Sequence, residues 1–323
     1  MDSKLYSNIP ANFRTNYGEG LIQQAYFCEK YHLFVKETAD FLNKKLKLKT
    51  TPAFAIQTRS GLGYLTDIIK KPITIPYQEI PNFEPTQIET HKGELIYGKI
   101  QKVPVIVLAG RKHFYELGMQ NIEHSMKQAV LPVNVMAELK IPNLFVTNAA
   151  GALNTSFNKG DIMIITSHIN TTFSPLLGPI PNLTKIDGKK LDRFVKMGET
   201  YDPALRRLLG KANTFQNHIR YGTYLSVTGP QYETLAEVLA FRQIADAVGM
   251  STTYEVIAGI NREMNIVGFS LITNTTSKNG MNNTTHNEVT ETGLDTVVKT
   301  RVQNLMNGFF KGYFEEIYSL KNT

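Results

Sequence analysis

A basic and aromatic segment near residue 110 has the residue types that bind an anion next to a sugar. Arg111, His113 and Tyr115 alternate along Gly-Arg-Lys-His-Phe-Tyr-Glu. If this segment is extended, alternate side chains point to one face, so the three would act together. Arginine offers paired donors to an oxyanion, and histidine adds a donor that is tunable near neutral pH. A solvated basic turn explains the same spacing equally well.

Two turns of small residues would let an anion or a flat ligand approach the backbone. Arg59-Ser60-Gly61-Leu62-Gly63 follows an apolar run, and a helix beginning after it would add partial positive charge. The turn lacks the Gly-Lys-Ser/Thr ending of a Walker A loop. Asn148-Ala149-Ala150-Gly151 follows another apolar run. Tight turns without a ligand explain each segment at least as well.

A tyrosine and an acid lie at the start of a helical pattern at residues 233–247. Glu233 is either a first-turn acid that suits the helix dipole or an acceptor for a purine. In the second case Tyr232 would pack on the purine ring.

The remaining candidates lie near the C-terminal third of the chain. Val248-Gly249-Met250-Ser251-Thr252 precedes Glu255, and its simplest interpretation is a helix start capped by Ser251. Asn274 follows an apolar run, and His286 lies beyond a polar loop. A lone histidine is more often structural than catalytic.

The elements that position these residues alternate between strands and helices. Short apolar runs predict strands, and 3.6-residue periodicity predicts helices at 233–247 and 287–319. The pattern favours an α/β fold with a central mixed β-sheet flanked by helices, in a single domain over 1–323 with an N-terminal helical extension over 1–48. Ligands in such folds bind beyond the carboxyl ends of the strands. The predicted strands are 53–58, 94–99, 103–108, 143–147, 161–169, 222–228 and 265–273.

Composition excludes several classes of function. The 323 residues carry a net charge of +7, but the cations are spread along the chain and lack the interleaved aromatics of a nucleic-acid surface. There is no signal peptide and no apolar run of ~20 residues, so we expect a cytoplasmic protein with no membrane partner. Cys28 is the single cysteine and reads as a passive thiol. No cluster at ligand spacing predicts a metal, and no cofactor is expected.

Taken together and in order, these segments resemble the trimeric class of purine nucleoside phosphorylases. The matching motifs are Ser-Gly-Leu-Gly, Gly-Arg-x-His-x-Tyr-Glu, Thr-Asn-Ala-Ala-Gly-x-Leu-Asn, Gly-Asp-Ile-Met, Gly-Pro-x-aromatic-Glu-Thr, Ala-Val-Gly-Met-Ser-Thr and Gly-Phe-Ser-Leu-Ile-Thr-Asn. They cover roughly residues 50–290. The resemblance implies a homotrimer that uses inorganic phosphate as co-substrate to cleave purine nucleosides into base and ribose 1-phosphate.

The resemblance also implies a role for each candidate residue. Phosphate would lie among Ser60, Arg111, His113, the backbone amide of Ala149 and Ser251. The ribose would contact Tyr115, Met250 and His286. The base would meet Tyr232, Glu233 and Asn274, of which Glu233 and Asn274, with His113 and His286, would be catalytic. His91 matches a family histidine near the phosphate, and Phe173 a residue that closes the neighbouring subunit's pocket.

The sequence departs from the family pattern in places. Arg59 stands where glycine is usual, extra residues follow Glu116, the segment 171–192 aligns poorly, and Thr275 follows Asn274 where many animal relatives carry lysine. A methylthioadenosine phosphorylase would carry an acid in place of Asn274, so the neutral amide favours inosine and guanosine. A binding protein that has lost activity is the other alternative, because fold alone does not establish catalysis.

Overall fold

The computed structural model describes residues 19–58, 61–84, 93–117, 121–212, 216–276 and 285–318, without the side chains of Glu19, Gln216, His286 and Asn287. In this part of the chain nine strands form one mixed sheet in the order β2-β3-β4-β1-β5-β8-β7-β6-β9. A further pairing of β5 with β9 closes the second half of the sheet into a ring. The strands are β1 Phe54–Thr58, β2 Lys70–Pro76, β3 Glu94–Ile100, β4 Val103–Ala109, β5 Asn143–Ala152, β6 Ile162–Asn170, β7 Ile219–Ser226, β8 Ala247–Gly249 and β9 Asn265–Thr275.

Helices cover both faces of this sheet, which confirms the predicted α/β architecture. A 3-10 helix at Gly63–Ile68 follows β1, and a π-helical turn at Phe314–Tyr318 follows the last α-helix. The C-terminal region, whose periodicity predicts either one long helix or a helix pair, is a helix pair. The α-helices are α1 Glu19–Leu46, α2 Phe114–Leu117, α3 Ile122–Glu138, α4 Pro203–Lys211, α5 Leu235–Phe241, α6 Thr253–Asn261, α7 His286–Leu294 and α8 Thr296–Tyr313.

Alternation along the central strands builds two apolar layers. In β1, Ala55 packs into the layer that holds α1 and α3, whereas Phe54 and Ile56 pack into the layer that holds α4 and α8. The same two-residue alternation continues in β4, where Ile106 and Val107 point to opposite layers. Because both faces are buried, the strands read as nearly continuous apolar runs in the sequence.

Two elements differ most from their predicted bounds. The strand predicted at 143–147 continues to Ala152, because β9 pairs with β5 along its whole length. The helix predicted over 233–247 is limited to α5, which begins at a capping box made by Thr234 and Glu237. After α5 the chain forms β8, whose pairing with β7 and β5 overrides the helical pattern.

The helical extension predicted over 1–48 is α1, which begins at Glu19, and residues 1–18 lie outside the described chain. Lys44 and Lys45 lie in its last turn, where cations suit the helix dipole. Among the described residues, no helix combines the length and the apolar character that crossing a membrane requires.

Candidate active site

Four neighbouring parallel strands end at the edge of the sheet where the sequence motifs lie. β4, β1, β5 and β9 run side by side in the same direction. Their carboxyl ends therefore bring together the segments after Thr58 and Ala109 with the last residues of β5 and β9. The structure places Arg111, Asn148, Ser251 and Asn274 in the neighbourhood of this edge, although they are far apart in sequence.

Arg111 is the most extensively held side chain at this edge. Its Nε and Nη2 atoms each donate to a carboxylate oxygen of Glu255 at 2.8 Å. Its Nη1 donates to Ser251 Oγ at 3.1 Å, and Nη2 also donates to the carbonyl of Thr147 at 3.3 Å. Arg111 and Glu255 are 3% and 1% exposed. Burial opposes the charge, but Glu255 outweighs it, so the pKa of Arg111 is raised and the guanidinium stays charged.

His113 is fixed by a carboxylate of its own turn. Glu116 accepts both the backbone N–H of His113, at 2.8 Å, and a hydrogen bond from Nδ1, at 2.9 Å. A carboxylate only accepts, so Nδ1 carries the proton and Nε2 is left to face a ligand. Burial lowers the pKa of His113, and the bond to Glu116 partly offsets that effect. The ring is therefore neutral near pH 7.

The expected alternation of Arg111, His113 and Tyr115 on an extended segment is wrong, because α2 begins at Phe114. The His113 and Tyr115 rings nevertheless stack, with centroids 4.9 Å apart and an interplanar angle of 12°. Burial raises the pKa of Tyr115 to about 12, so its hydroxyl keeps its proton. A short helical turn thus brings together side chains that the sequence predicted for a strand.

Ser251 does not cap a helix, contrary to the sequence interpretation. α6 begins at Thr253, and Thr252 occupies the N-cap position with φ +76° and no capping hydrogen bond. A β-branched residue in the left-handed region is strained, and such strain is concentrated at functional sites. The result is that the Ser251 hydroxyl faces Arg111, while its backbone N–H donates to the Tyr224 hydroxyl at 3.3 Å.

A chain of polar contacts continues from Ser251 into β5. The hydroxyls of Ser251 and Thr252 lie 3.2 Å apart, and Asn148 Nδ2 donates to Thr252 Oγ1 at 2.9 Å. Asn148 Oδ1 is buried without a hydrogen-bond partner among the described residues. Ala149 follows within β5, half buried and opposite Leu271. Asn148 and Thr252 were not predicted as site residues, since neither stands out by type or spacing.

Asn274 lies near the end of β9 against a glycine of β5. In the parallel register Asn274 pairs with Gly151, and a Cβ at Gly151 would approach Asn274 Nδ2 to 2.9 Å. Glycine at this position therefore makes room for the amide. Thr273 Oγ1 donates to Asn274 Oδ1 at 3.1 Å, and Asn274 is 9% exposed. The amide is thus held in one orientation at the edge.

Tyr232 and Met250 border the other side of the same region. Gly229 lies against the side chains of both Met250 and Tyr115. Tyr232 is half buried; burial raises its pKa, and the neighbouring Glu233 raises it further. The Tyr232 hydroxyl in turn contributes to the raised pKa of Tyr115, so the two phenols are close. These contacts bring the predicted ribose and base residues next to the predicted anion residues.

Several predicted residues lie outside what the structure describes. Arg59, Ser60 and His91 belong to this group, and of His286 only the backbone is described, at the start of α7. Gly61, the first described residue after β1, does pack against α7, because a Cβ at Gly61 would lie 3.1 Å from the Cα of Gly293. Phe173 packs in its own chain against Phe114, with ring centroids 5.2 Å apart.

Glu255 and Glu116 are the main residues to which sequence reasoning gave no role. Glu255 interrupts the apolar pattern of α6, and a buried acid in such a helix is the signal that could have identified it. Its partner is 144 positions away in sequence, so spacing could not reveal the pair. In the part of the chain that is described, no group of three or more histidine, cysteine or acidic residues could hold a metal ion.

Comparison with known proteins gives consistent matches. The sequence profile of the Phosphorylase superfamily matches residues 53–308. Purine nucleoside phosphorylase 1 of Geobacillus stearothermophilus is 41% identical over 261 residues, or 80% of this chain and 90% of the relative. The Rattus norvegicus purine nucleoside phosphorylase is 36% identical over 268 residues, or 80% and 88%. A crystal structure of the Schistosoma mansoni purine nucleoside phosphorylase in complex with adenosine matches with a TM-score of 0.73 and 33% identity, covering 88% of this chain and 96% of that one.

Proposed function

The chain belongs to the phosphorylase superfamily and, within it, to the purine nucleoside phosphorylases, and from that premise we propose that it cleaves 6-oxopurine nucleosides such as inosine and guanosine. As a member of this family it is a pentosyltransferase of purine salvage. Inorganic phosphate is the proposed co-substrate, and no other cofactor takes part. The products are the free base and ribose 1-phosphate or deoxyribose 1-phosphate.

The observation that carries this proposal is the arrangement around Arg111. A charged guanidinium, the Ser251 hydroxyl and a neutral histidine with Nε2 available lie at the carboxyl edge of the sheet. The guanidinium and the hydroxyl donate to a tetrahedral oxyanion, and Nε2 of His113, which carries no proton, accepts from the protonated oxygen of phosphate. Ser60 and the backbone amide of Ala149 would complete the phosphate site, with His91 nearby.

The nucleoside would lie between this phosphate and the edge of β9. Tyr115, Met250 and His286 would contact the ribose, and Tyr232 would pack on the base. Glu233 would accept hydrogen bonds from the Watson–Crick edge of the purine, and Asn274 would bind the imidazole nitrogen and the 6-oxygen. Because Thr273 already donates to Asn274 Oδ1, Nδ2 is the natural donor for a 6-oxo group.

The proposed chemistry is electrostatic. As the glycosidic bond breaks, positive charge builds on the ribose and negative charge on the departing purine. Phosphate held by Arg111 stabilises the first, and Asn274 with Glu233 stabilises the second, so no covalent enzyme intermediate is needed. Since burial keeps Tyr115 protonated, its hydroxyl can donate to the sugar throughout.

The adenosine complex of the Schistosoma mansoni relative favours a second possibility for this chain, a preference for 6-amino nucleosides. Adenosine presents a donor where inosine presents an acceptor. The neutral Asn274 amide carries both a donor and an acceptor, and the bond from Thr273 to Oδ1 leaves both Nδ2 hydrogens available to the base, which favours the 6-oxo form. Methylthioadenosine phosphorolysis remains the further alternative.

The assembly and location also belong to this proposal. We expect a cytoplasmic homotrimer, by analogy with the family. In that assembly Phe173 would close the pocket of the neighbouring subunit, from its position against Phe114. Arg59, which directly follows β1 in the sequence, would add a cation at the phosphate turn.

The direct test is release of free base from inosine, guanosine and adenosine, with and without inorganic phosphate. We expect release from inosine and guanosine only when phosphate is present. Adenosine as the best substrate would contradict the base specificity but leave phosphorolysis intact. No release from any of the three would contradict the proposed activity itself.

Replacing Asn274 tests the base site. Asn274→Ala should lower kcat by roughly 100-fold, the size of a lost transition-state donor, while the fold survives. Asn274→Asp should move preference toward adenosine. Asn265→Ala is the matched control, since Asn265 lies at the opposite end of the same strand and its side chain donates to Asn143 Oδ1 at 3.0 Å. A fully active Asn274→Ala enzyme would exclude the proposed role.

A further inference from the structure

Nearly all the N–H donors of the Arg111 guanidinium are hydrogen-bonded to other groups of the protein. An arginine has five N–H donors, and Arg111 uses four of them, two on Glu255 and one each on Ser251 and Thr147. The remaining hydrogen belongs to Nη1, next to Ser251 Oγ. The described residues offer no acceptor for it. The direction in which Arg111 can bind an anion is therefore set by the groups behind it, of which Glu255 is the strongest.

A two-point bond to a carboxylate fixes a guanidinium in a way that packing does not. The Nε and Nη2 bonds to Glu255 define both the plane and the rotation of the fork. A small cavity lined by Gln57, Tyr77 and Gln128 also borders both side chains. Without the carboxylate, the arginine would have space to turn away from Ser251.

We propose that Glu255 is a positioning residue that holds Arg111 in the orientation in which it binds phosphate. The proposal rests on the proposed role of Arg111 in phosphate binding. Glu255 does not itself touch phosphate, because the guanidinium lies between the carboxylate and the anion. Its loss therefore acts on the phosphate step and not on the nucleoside step.

Loss of the carboxylate would have two opposite effects on phosphate. Removing a negative charge favours an anion, whereas releasing the fork removes the direction of the Nη1 donor. Because the guanidinium separates and screens the two anions, the second effect dominates. A glutamine in place of Glu255 would also place its NH2 group against an N–H of Arg111. Because two donors repel each other, the guanidinium would move from its wild-type orientation.

The test is steady-state kinetics of Glu255→Gln with inosine and phosphate varied separately. We expect KM for phosphate to rise by roughly 10- to 100-fold, the equivalent of one or two charged hydrogen bonds. KM for inosine, and kcat at saturating phosphate, should change by less than about threefold. A phosphate KM that is unchanged or lower, or an equal rise in both KM values, would overturn the proposal.

Glu138→Gln is the matched control. Glu138 pairs with the buried Arg262 at 2.7 Å, away from the site. The control variant should lose stability without any change in the phosphate KM, so a general effect of breaking a buried ion pair would be visible. If Glu138→Gln raised the phosphate KM as much as Glu255→Gln, a specific positioning role would be excluded.

Two further measurements keep the result interpretable. Glu255→Asp keeps the charge on a shorter side chain, and we expect its phosphate KM to lie between those of the wild type and Glu255→Gln. Calorimetric titration with inorganic phosphate alone measures binding without turnover. If the wild type binds phosphate but releases no base, the proposed function fails, and the titration of Glu255→Gln still decides the positioning role.

Discussion

Two arginine–glutamate pairs, each with a buried arginine, lie at opposite edges of the sheet and differ in their hydrogen bonds. Arg111 and Glu255 lie beyond the carboxyl end of β4 and share two hydrogen bonds of 2.8 Å. Arg262 and Glu138 lie just before β9 and β5 begin, and share one of 2.7 Å. Arg262 also donates to Asn134, yet its Nε has no partner among the described residues. Arg111 is therefore oriented by a two-point bond to its carboxylate, whereas Arg262 is held to its carboxylate at one point.

The charges of the two arginines follow the same difference. Burial opposes the charge of both. At Arg111 the carboxylate outweighs burial and the pKa is raised, whereas at Arg262 burial dominates and the pKa is lowered. Buried ion pairs add little net stability. We infer from this difference that the Arg111–Glu255 pair keeps a charged guanidinium facing the site, whereas the Arg262–Glu138 pair connects α3 to α6.

Two histidines, His113 and His168, show the same contrast. His113 has a carboxylate partner, Glu116, and leaves Nε2 available at the site. Among the described residues, the His168 ring on β6 hydrogen-bonds only to the Tyr201 hydroxyl, at 3.1 Å, and burial lowers its pKa to about 4. At the site an acid keeps each cationic or titratable group oriented. His168 and the Nε atom of Arg262 have no such acid partner among the described residues.

The first prediction removes Glu138 and tests whether its pair with Arg262 serves stability and not phosphate binding. Glu138→Ala leaves Arg262 buried with no counter-charge, and we expect the free energy of unfolding to fall by about 3 kcal/mol. Urea denaturation measures the change. The double variant Arg262→Met with Glu138→Leu should recover most of it, because an apolar pair needs no hydrogen bonds. Phosphate KM should stay at the wild-type value in both variants. A loss of phosphate affinity would contradict the division of roles between the two edges.

The second prediction concerns the pH dependence of stability. The pKa of His168 is about 4 in the folded protein against 6.5 as its ordinary value. Between these values the unfolded chain binds more protons, so stability is lost as pH falls below about 6.5. From pH 7.5 to pH 5 this contribution amounts to about 2 kcal/mol.

His168→Asn should remove that pH-dependent loss, as followed by thermal unfolding at several pH values, while kcat/KM stays near the wild-type value. His32→Asn on α1 is the control, since His32 is less deeply buried and its pKa is lowered by burial and by nearby lysines. If His168→Asn left the pH dependence as steep as before, His168 would not be its source.

The fold was largely predictable because its signals are local. β1, β4 and β9 are continuous apolar runs, and their order with the helices is typical of an α/β sheet. β8 was not predictable, since a three-residue strand carries no periodicity and begins at the last residue of the helix predicted over 233–247. The pairing of β5 with β9 joins segments more than 100 residues apart and leaves no trace in either one.

The site was predictable where residue type alone carries the chemistry. Arg111, His113 and Asn274 stood out in the sequence, and the family resemblance gave them roles. The groups that orient them did not, because Glu255, Glu116 and Thr252 act through contacts made only in the folded chain. A sequence motif thus names the groups that meet a ligand more readily than those that hold them.

The third prediction tests the histidine at the site. Glu116→Gln removes the carboxylate that fixes Nδ1–H and stabilises the protonated ring, so the pKa of His113 should fall further below its ordinary value. We expect kcat/KM for phosphate to fall about tenfold at neutral pH, as expected when a ring loses its fixed tautomer. The limb of the pH profile that belongs to His113 should move to lower pH.

Glu84→Gln is the control for this variant. Glu84 pairs at 3.2 Å with Lys112, the residue before His113, so the control removes a neighbouring acid that is not the partner of the His113 ring. It should leave the pH profile in place. Glu116→Gln should also cost little stability, since its effect is on orientation at the site. A Glu116→Gln variant that lost stability but kept the wild-type pH profile would behave like the Glu138 variants. In that case Glu116 would stabilise the fold and would not orient His113.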